Sequence, residues 1–230
     1  MFVIASVWAG FYNSLTVNDE VNCMAQDAFP PEHFRRRDER SDRQFYDFPR
    51  LVVHIDDHAI SALNGLYARL LPAQGTILDL MSSWRSHLPD TWERGSVVGL
   101  GMNPVEMAQN PQLDRHVVHD LNTMPQLPFE DNVFDAVLCA VSVQYMTRPV
   151  EVFRDVYRII KPDGLFVVSF SNRCFPDKAI AAWLTMTDEA HVRLVQQYFQ
   201  LAHHWVDINT FADVPAKGDP LFAVWTRKPR

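Results

Sequence analysis

The feature that most constrains the fold is a short apolar run at residues 76–80, Thr-Ile-Leu-Asp-Leu, which follows Gly75. A run of this length predicts a buried β-strand, and residues 81–84 predict a loop that leads into a helix. In open α/β sheets, nucleotide-like ligands bind at the carboxyl ends of such strands. The sequence therefore predicts a ligand site beside Asp79, at a loop that contains no glycine.

Strand-like and helix-like segments alternate along the chain from this point. The alternation predicts an α/β fold whose mainly parallel sheet is covered by helices on both faces. The last two strands follow each other without a helical pattern between them, which predicts a hairpin and an antiparallel edge strand. The predicted strands are residues 76–80, 96–100, 116–119, 134–140, 165–170, 203–209 and 221–227, and the predicted helices between them include residues 84–92, 104–109, 152–160 and 192–202.

The first 55 residues show no regular alternation of strand-like and helix-like segments, so the sequence says less about their structure. The stretch at residues 45–49, Phe-Tyr-Asp-Phe-Pro, is too aromatic for a solvated linker, so we expect it to lie across the domain. We predict an N-terminal segment, residues 1–55, that covers the site, and one domain, residues 56–230. The domain is predicted to begin with a helix that Asp56 or Asp57 caps.

Composition and net charge limit the classes of function that this chain can have. The 230 residues suffice for one large α/β domain, and the net charge of −7 argues against a nucleic-acid or membrane surface. Scattered cysteines at positions 23, 139 and 174 form no metal-ligating spacing, which predicts no metal site and an intracellular, cytoplasmic location. The apolar residues 2–12 are too few to span a membrane and lack the basic start of a signal peptide. We expect them to pack on the domain as a terminal helix or strand.

Two later stretches resemble a known family. Residues 120–137, with Asp-Leu-Asn and then Leu-Pro-Phe-Glu-Asp-Asn, are similar to the third-to-fourth strand segment of class I S-adenosylmethionine-dependent methyltransferases. Residues 156–166, with the turn Lys-Pro-Asp-Gly, resemble that family's turn into its fifth strand. The resemblance covers residues 76–171 and is closest to the type 11 small-molecule methyltransferases. It implies a three-layer, doubly wound sheet in the order 3-2-1-4-5-7-6, S-adenosylmethionine as cofactor, and a small-molecule methyl acceptor.

The resemblance also implies ligand contacts. The amino-acid end of the cofactor would lie against residues 79–85, the ribose near residues 101–103, and the adenine beside Asp120, which would accept from its exocyclic amine. Ala140 and Val141 would pass beneath the sulfonium. The implied cofactor-binding residues are Asp79, Met81, Ser82, Ser83, Gly101, Met102, Asn103, Asp120, Leu121 and Ala140.

The chain departs from the family pattern at two places. The family's first loop carries glycines where this chain has Met81, Ser83 and Arg85, and glycine suits a backbone that approaches a ligand closely. The acid that closes the family's second strand and binds the ribose hydroxyls aligns with Gly101. Loss of such a carboxylate weakens binding by about 30- to 1000-fold. The loop serines and Asn103 are the candidates for replacement hydrogen bonds.

The catalytic candidates are Tyr145, His54 and Arg173. The resemblance implies that Gln144 and Tyr145 face the methyl group and the acceptor. His54 lies where it can take an acceptor proton, and Arg173 follows the fifth strand, where it can hold a carboxylate. Trp84 is a candidate cation–π partner of the sulfonium. Each also has a structural interpretation: a capping histidine, a local salt bridge and a tryptophan packed under its helix.

Two other functions compete with methyl transfer. A catalytically silent relative would use the glycine-poor site to bind a ligand or a protein partner, and this is the alternative we carry forward. A nicotinamide-dependent oxidoreductase would need G-x-G-x-x-G after the first strand and an acid about 20 residues later. The chain has no such motif, and its acid, Asp79, lies on the strand itself. We reject the oxidoreductase.

Overall fold

A computed structural model describes residues 29–230, so residues 2–12 and their predicted packing lie outside the described residues. The described part contains a seven-stranded sheet in the order β3-β2-β1-β4-β5-β7-β6, which confirms the predicted fold. The strands are β1 (Thr76–Leu80), β2 (Ser96–Gly101), β3 (Arg115–Val118), β4 (Phe134–Ala140), β5 (Ile160–Phe170), β6 (Val206–Asp213) and β7 (Leu221–Arg227).

The strands from β3 to β5 run parallel, while β7 is antiparallel to β5 and β6 is antiparallel to β7. The predicted antiparallel edge is therefore confirmed. At the centre of the sheet, Leu80 of β1 lies between Leu100 of β2 and Cys139 of β4. Because these strands are parallel, their carboxyl ends meet at one edge, where ligands bind in this class of sheet.

Helices cover both faces of the sheet, since alternate side chains along each strand point to opposite faces. Leu78 and Leu80 pack in one core with the helices at residues 149–159 and 188–202, whereas Ile77 packs in the other with the helix at residues 57–70. The helices within residues 29–230 are α1 (Asp42–Tyr46), α2 (Asp57–Leu70), α3 (Pro104–Ala108), α4 (Pro149–Ile159), α5 (Ala181–Thr185) and α6 (Asp188–Ala202). Asp56 caps α2 and accepts the Ala59 N–H at 2.9 Å, as expected. The division at residue 55 stays a prediction.

The predicted helix at residues 84–92 is wrong. These residues form an irregular loop, because His87 has a left-handed φ of 55° and Leu88 precedes a proline. Gln112 satisfies the loop backbone instead: its Nε2 donates to the Leu88 carbonyl at 2.8 Å, and its Oε1 accepts the Leu88 N–H at 3.2 Å. Leu88 and Trp92 still cover the sheet, because both pack in the core beside α2.

Smaller differences occur at the far edge of the sheet. The strand predicted near residues 203–209 runs over Val206–Asp213, because most of its side chains are exposed and give little apolar periodicity. The turn predicted at residues 161–164 lies within β5, where the pairing with β4 shifts register.

Candidate active site

A cavity opens at the carboxyl ends of β1, β2, β3 and β4. It encloses about 1140 Å³ of empty space, its open mouth included. All ten residues that the resemblance assigns to the cofactor line this cavity, and so do Tyr145 and His54. The sequence pattern missed further lining residues, among them Asp42, Tyr46, Arg50, His87, Glu106 and Phe175.

The loop after β1 has the backbone conformation that favours glycine, although it contains none. Met81 has a left-handed φ of 60°, which costs a non-glycine residue about 1–2 kcal/mol. Its side chain packs partly against the core beside α4. The Ser82 N–H donates to the Leu100 carbonyl at 2.8 Å, so the loop closes against the end of β2.

This close approach requires the glycines of β2. A Cβ at Gly101 would lie 2.2 Å from the Ser82 carbonyl oxygen, and one at Gly99 would lie 3.2 Å from Ser82 Oγ. A close-packed interior does not tolerate the first of these contacts. Position 101 therefore cannot carry the acid of the family pattern while the loop keeps its place.

Asp79 is a buried carboxylate of the cavity, with 3% of its surface exposed. Its Oδ2 accepts the Ser82 hydroxyl at 2.5 Å and the Ser86 hydroxyl at 2.7 Å. Burial raises the pKa of Asp79 to about 6, and the two hydroxyls oppose that rise. Within residues 29–230, the side chains that offset the charge of Asp79 are therefore these two neutral donors.

Asp120 organises the turn after β3. Its Oδ1 accepts the N–H groups of Asn122 at 3.0 Å and Thr123 at 3.2 Å, and its Oδ2 accepts the Thr123 hydroxyl at 2.8 Å. Each carboxylate oxygen has two lone pairs. Asp120 Oδ2 is therefore able to accept one more hydrogen bond, as its assignment to the adenine amine requires.

Asn103 and Glu106 connect α3 to the N-terminal segment, and Glu106 also connects it to the loop after β1. Asn103 caps α3 through Oδ1, and its Nδ2 donates to the Tyr46 carbonyl at 2.8 Å, so its polar atoms are already partnered. Glu106 accepts the Arg50 N–H at 2.7 Å and the Ser83 hydroxyl at 2.6 Å. The spacing of Asn and Glu at a helix start typically indicates a local capping box, and only tertiary structure reveals that Glu106 reaches two distant segments.

Aromatic side chains border the part of the cavity assigned to the acceptor. Tyr145 is buried, its hydroxyl oxygen accepts the Phe175 N–H at 2.9 Å, and burial raises its pKa to about 12. Burial also raises the pKa of Tyr46. Both phenols therefore keep their protons at neutral pH.

Two histidines also line the cavity. His54 packs edge-on against Phe175 with ring centroids 5.1 Å apart, and burial lowers its pKa. Burial, aided by the nearby His54 and Arg85, lowers the pKa of His87 to about 4. Both imidazoles are therefore neutral at pH 7, and a neutral ring is the starting state of the role predicted for His54.

Another left-handed residue lies at the end of β4. Val141 has a φ of 51°, a genuine outlier for a β-branched residue. Its N–H donates to the Ser169 carbonyl at 2.7 Å. Strained backbone of this kind concentrates at ligand sites, and Met81, His87 and Val141 place three such residues on one cavity.

A buried ion cluster fastens the N-terminal segment beside the cavity. Asp42 accepts two hydrogen bonds from Arg36 Nη1, at 2.7 and 2.8 Å, and one from Asn122 Nδ2 at 2.7 Å. Lys178 Nζ lies 3.2 Å from the same carboxylate. Burial alone would raise the pKa of Asp42, but these hydrogen bonds and charges outweigh burial and lower it.

Three candidates do not line the cavity. Arg173 has a 65% exposed side chain, and its Nε lies 3.9 Å from Asp219. Gln144 is fully buried. Trp84 Nε1 donates to the Val52 carbonyl at 2.8 Å. For Arg173, this contact matches the structural interpretation, a local ion pair, whereas Trp84 lies half-buried in the irregular loop at residues 84–92 and not under a helix.

Within residues 29–230, no group of three or more His, Cys, Asp or Glu side chains is placed to hold a metal ion. Within the same range, no helix combines the length and the apolar content that crossing a membrane requires.

Comparison with known proteins connects this geometry to a family. A family model described as "Methyltransferase domain" matches residues 83–168. Among solved structures, the complex between the Haloferax volcanii Trm112 methyltransferase activator and a methyltransferase has a TM-score of 0.57, at 19% identity over 76% of this chain and 92% of that one. The Haemonchus contortus phosphoethanolamine N-methyltransferase 2 has a TM-score of 0.54, at 12% identity over 74% of this chain and 53% of that one.

A curated relative agrees with these matches. The ubiquinone/menaquinone biosynthesis C-methyltransferase UbiE of Chromobacterium violaceum is 30% identical over 107 residues, 45% of this chain and 43% of that protein. The chain spans between 13% and 43% of the length of the curated relatives that it matches. Sheet order and these matches agree: the chain has the fold of class I S-adenosylmethionine-dependent methyltransferases, and its residues 83–168 are similar to a methyltransferase domain.

Proposed function

We propose that this chain transfers a methyl group from S-adenosylmethionine to a small-molecule acceptor. One observation carries the proposal: the ten residues assigned to the cofactor, which come from the ends of four different strands, all line a single cavity. Such convergence at the carboxyl edge of a parallel sheet is typical of a ligand site.

The similar proteins support the choice of cofactor. UbiE is named as a C-methyltransferase. The Haemonchus contortus enzyme is described in complex with phosphomonomethylethanolamine and S-adenosylhomocysteine, the latter being the demethylated form of the cofactor. The acceptors of these proteins differ, so they support the reaction class rather than one acceptor.

The residues present fit this cofactor. Met81 has the left-handed φ of a glycine, Asp120 Oδ2 has a spare lone pair, and the side-chain donors to Asp79 within residues 29–230 are two neutral hydroxyls. Asp79 with the β1 loop would hold the amino-acid end, and Asp120 with Leu121 the adenine. When bound, the cofactor supplies an electrophilic methyl group on a sulfonium.

The chain contributes mainly position and exclusion of water. Tyr46, Tyr145 and Phe175 present ring surfaces to the cavity, where they would hold an acceptor and keep solvent from it. His54 would accept a proton at an imidazole nitrogen if the acceptor arrives protonated. A neutral His54 is ready for that step, because burial lowers its pKa.

The second candidate is a catalytically silent relative that binds a ligand or a protein partner. It is favoured by one observation: the family match begins at Ser83, after β1 and the first residues of its loop. Met81, one of the three residues that replace the family's glycines, and Ser82, which closes against β2, lie outside the match.

Thermal unfolding with and without S-adenosylmethionine and S-adenosylhomocysteine tests the proposal. Ligand at 100 times its dissociation constant should stabilise the protein by about 2.7 kcal/mol. The absence of any shift at millimolar concentration of either compound would contradict cofactor binding. Release of S-adenosylhomocysteine in the presence of a panel of small-molecule nucleophiles would then separate the enzyme from the silent relative.

A further inference from the structure

The structure assigns the ribose-binding acid of this chain to Glu106 in α3, rather than to the end of β2. The assignment rests on the proposed function, because it concerns how the same cavity would hold S-adenosylmethionine. It names a residue that the family pattern does not mark in this chain.

The end of β2, where the family has its ribose-binding acid, leaves no room for a side chain at position 101 of this chain. The Ser82 carbonyl oxygen lies 2.2 Å from where a Cβ of Gly101 would be, so β2 cannot present a carboxylate there. The candidates suggested by sequence are also committed: Asn103 caps α3 and donates to the Tyr46 carbonyl, and Ser82 donates its hydroxyl to Asp79. The two hydroxyls of a ribose need acceptors from another residue.

Glu106 has the required spare acceptors. It lines the cavity and is 7% exposed. Its Oε1 accepts the Arg50 N–H and its Oε2 accepts the Ser83 hydroxyl, so each oxygen retains a second lone pair. Within residues 29–230, Glu106 forms no hydrogen bond to a charged side chain. A buried carboxylate held by two neutral donors gains from further donors, and two vicinal hydroxyls supply two.

Glu106 also approaches the correct part of the loop. Its partner Ser83 is the neighbour of Ser82, the residue that fills the space beside Gly101. The acid therefore reaches the end of β2 from α3 instead of from the strand. A purely structural role is the rival explanation, since Glu106 also links the loop to the N-terminal segment through Arg50.

The test is a cycle of calorimetric titrations. Wild type and Glu106→Gln are each titrated with S-adenosylhomocysteine and with its 2′,3′-dideoxyribosyl analogue. Wild type should bind the ribosyl ligand at least about 30-fold more tightly than the analogue. Glu106→Gln should bind the two ligands within about 3-fold of each other, because its amide lacks the second acceptor oxygen. Glu130→Gln, the same change at an exposed acid, should keep the wild-type preference.

The outcomes separate the inference from the proposed function. If Glu106→Gln weakens both ligands equally and keeps the ribose preference, Glu106 is a structural support and the assignment is wrong. If wild type binds neither ligand, the proposed function fails and the assignment fails with it. Should Glu106→Gln not fold, Glu106→Asp replaces it: the carboxylate withdrawn by one methylene should lose the preference, and a retained preference would overturn the assignment.

Discussion

Asp42 and Asp79 line the same cavity and are almost equally buried, at 6% and 3% exposure, yet their pKa values shift in opposite directions. Arg36 and Lys178 bring positive charge to Asp42, and its pKa falls. Asp79 has two hydroxyls as its only side-chain donors within residues 29–230, and its pKa rises to about 6.

The contrast shows that partner charge, not burial, decides the state of a carboxylate in this cavity. The charge at Asp42 is satisfied within the protein and fastens the N-terminal segment. The charge at Asp79 is not, which leaves it available to a cationic group of a ligand. Three substitutions test this difference.

The largest effect is expected from Asp42→Asn. It leaves Arg36 beside a neutral amide and Lys178, which has no exposed surface, with less counter-charge. Breaking one partner out of a buried ion pair costs about 3–5 kcal/mol. Urea unfolding at pH 7 measures the loss, with Asp90→Asn, an exposed acid, as the control. A loss equal to that of the control would mean that the cluster contributes nothing.

The next effect is a pH dependence that Asp79→Asn should remove. Folded Asp79 has its pKa raised from 3.8 to about 6, so the folded state binds this proton more tightly than the unfolded chain does. The resulting stabilisation is present below pH 4 and is lost as the pH rises to 6, a difference of about 2–3 kcal/mol between pH 4 and pH 7. The Asn variant keeps an acceptor for the two hydroxyls and lacks the titration.

Unfolding free energies at pH 4 and pH 7 for wild type and Asp79→Asn measure this term by difference. Asp42 works in the opposite direction: because its pKa is lowered, its stabilisation is lost only as the pH falls below the range of an ordinary carboxyl. Equal pH dependence in wild type and Asp79→Asn would show that Asp79 is ionised as freely in the folded chain as in the unfolded one.

The smallest effect is expected from Ser82→Ala, which removes one hydroxyl from Asp79. At pH 7 the lost hydrogen bond to a carboxylate should cost about 1.5–2 kcal/mol. At pH 4 the cost should fall below about 1 kcal/mol, because Asp79 is then protonated and the bond is no longer charge-assisted. Ser61→Ala, at an exposed helix position, is the matched control. A cost independent of pH would contradict the assigned charge state.

The parts of the fold that the sequence predicted well are those with strong local signals. The fourth and seventh strands were predicted at residues 134–140 and 221–227, and both are nearly buried on both faces. The failure at residues 84–92 has a physical cause. Trp84, Leu88 and Trp92 recur every four positions, which mimics a helix, but His87 and the side chain of Gln112 hold the backbone in another path.

The residues of the candidate site also differ in how well the sequence predicts them. Residues at strand ends, such as Asp79 and Asp120, were predictable because parallel strands end at one edge. Arg50 and Glu106 were not, because their approach depends on how the N-terminal segment crosses the sheet. No local period or spacing encodes a contact between residues 56 positions apart.

Lys178 has a consequence for anyone who shortens this chain. Its amine donates to the carbonyl oxygens of Asp38 and Arg40 and lies against Asp42. A fragment beginning at residue 56 would lack Asp38, Arg40 and Asp42, which surround this fully buried ammonium group. Such trimming would leave the ammonium group without the acceptors that position it, and the expected product is a fragment less stable than the longer chain.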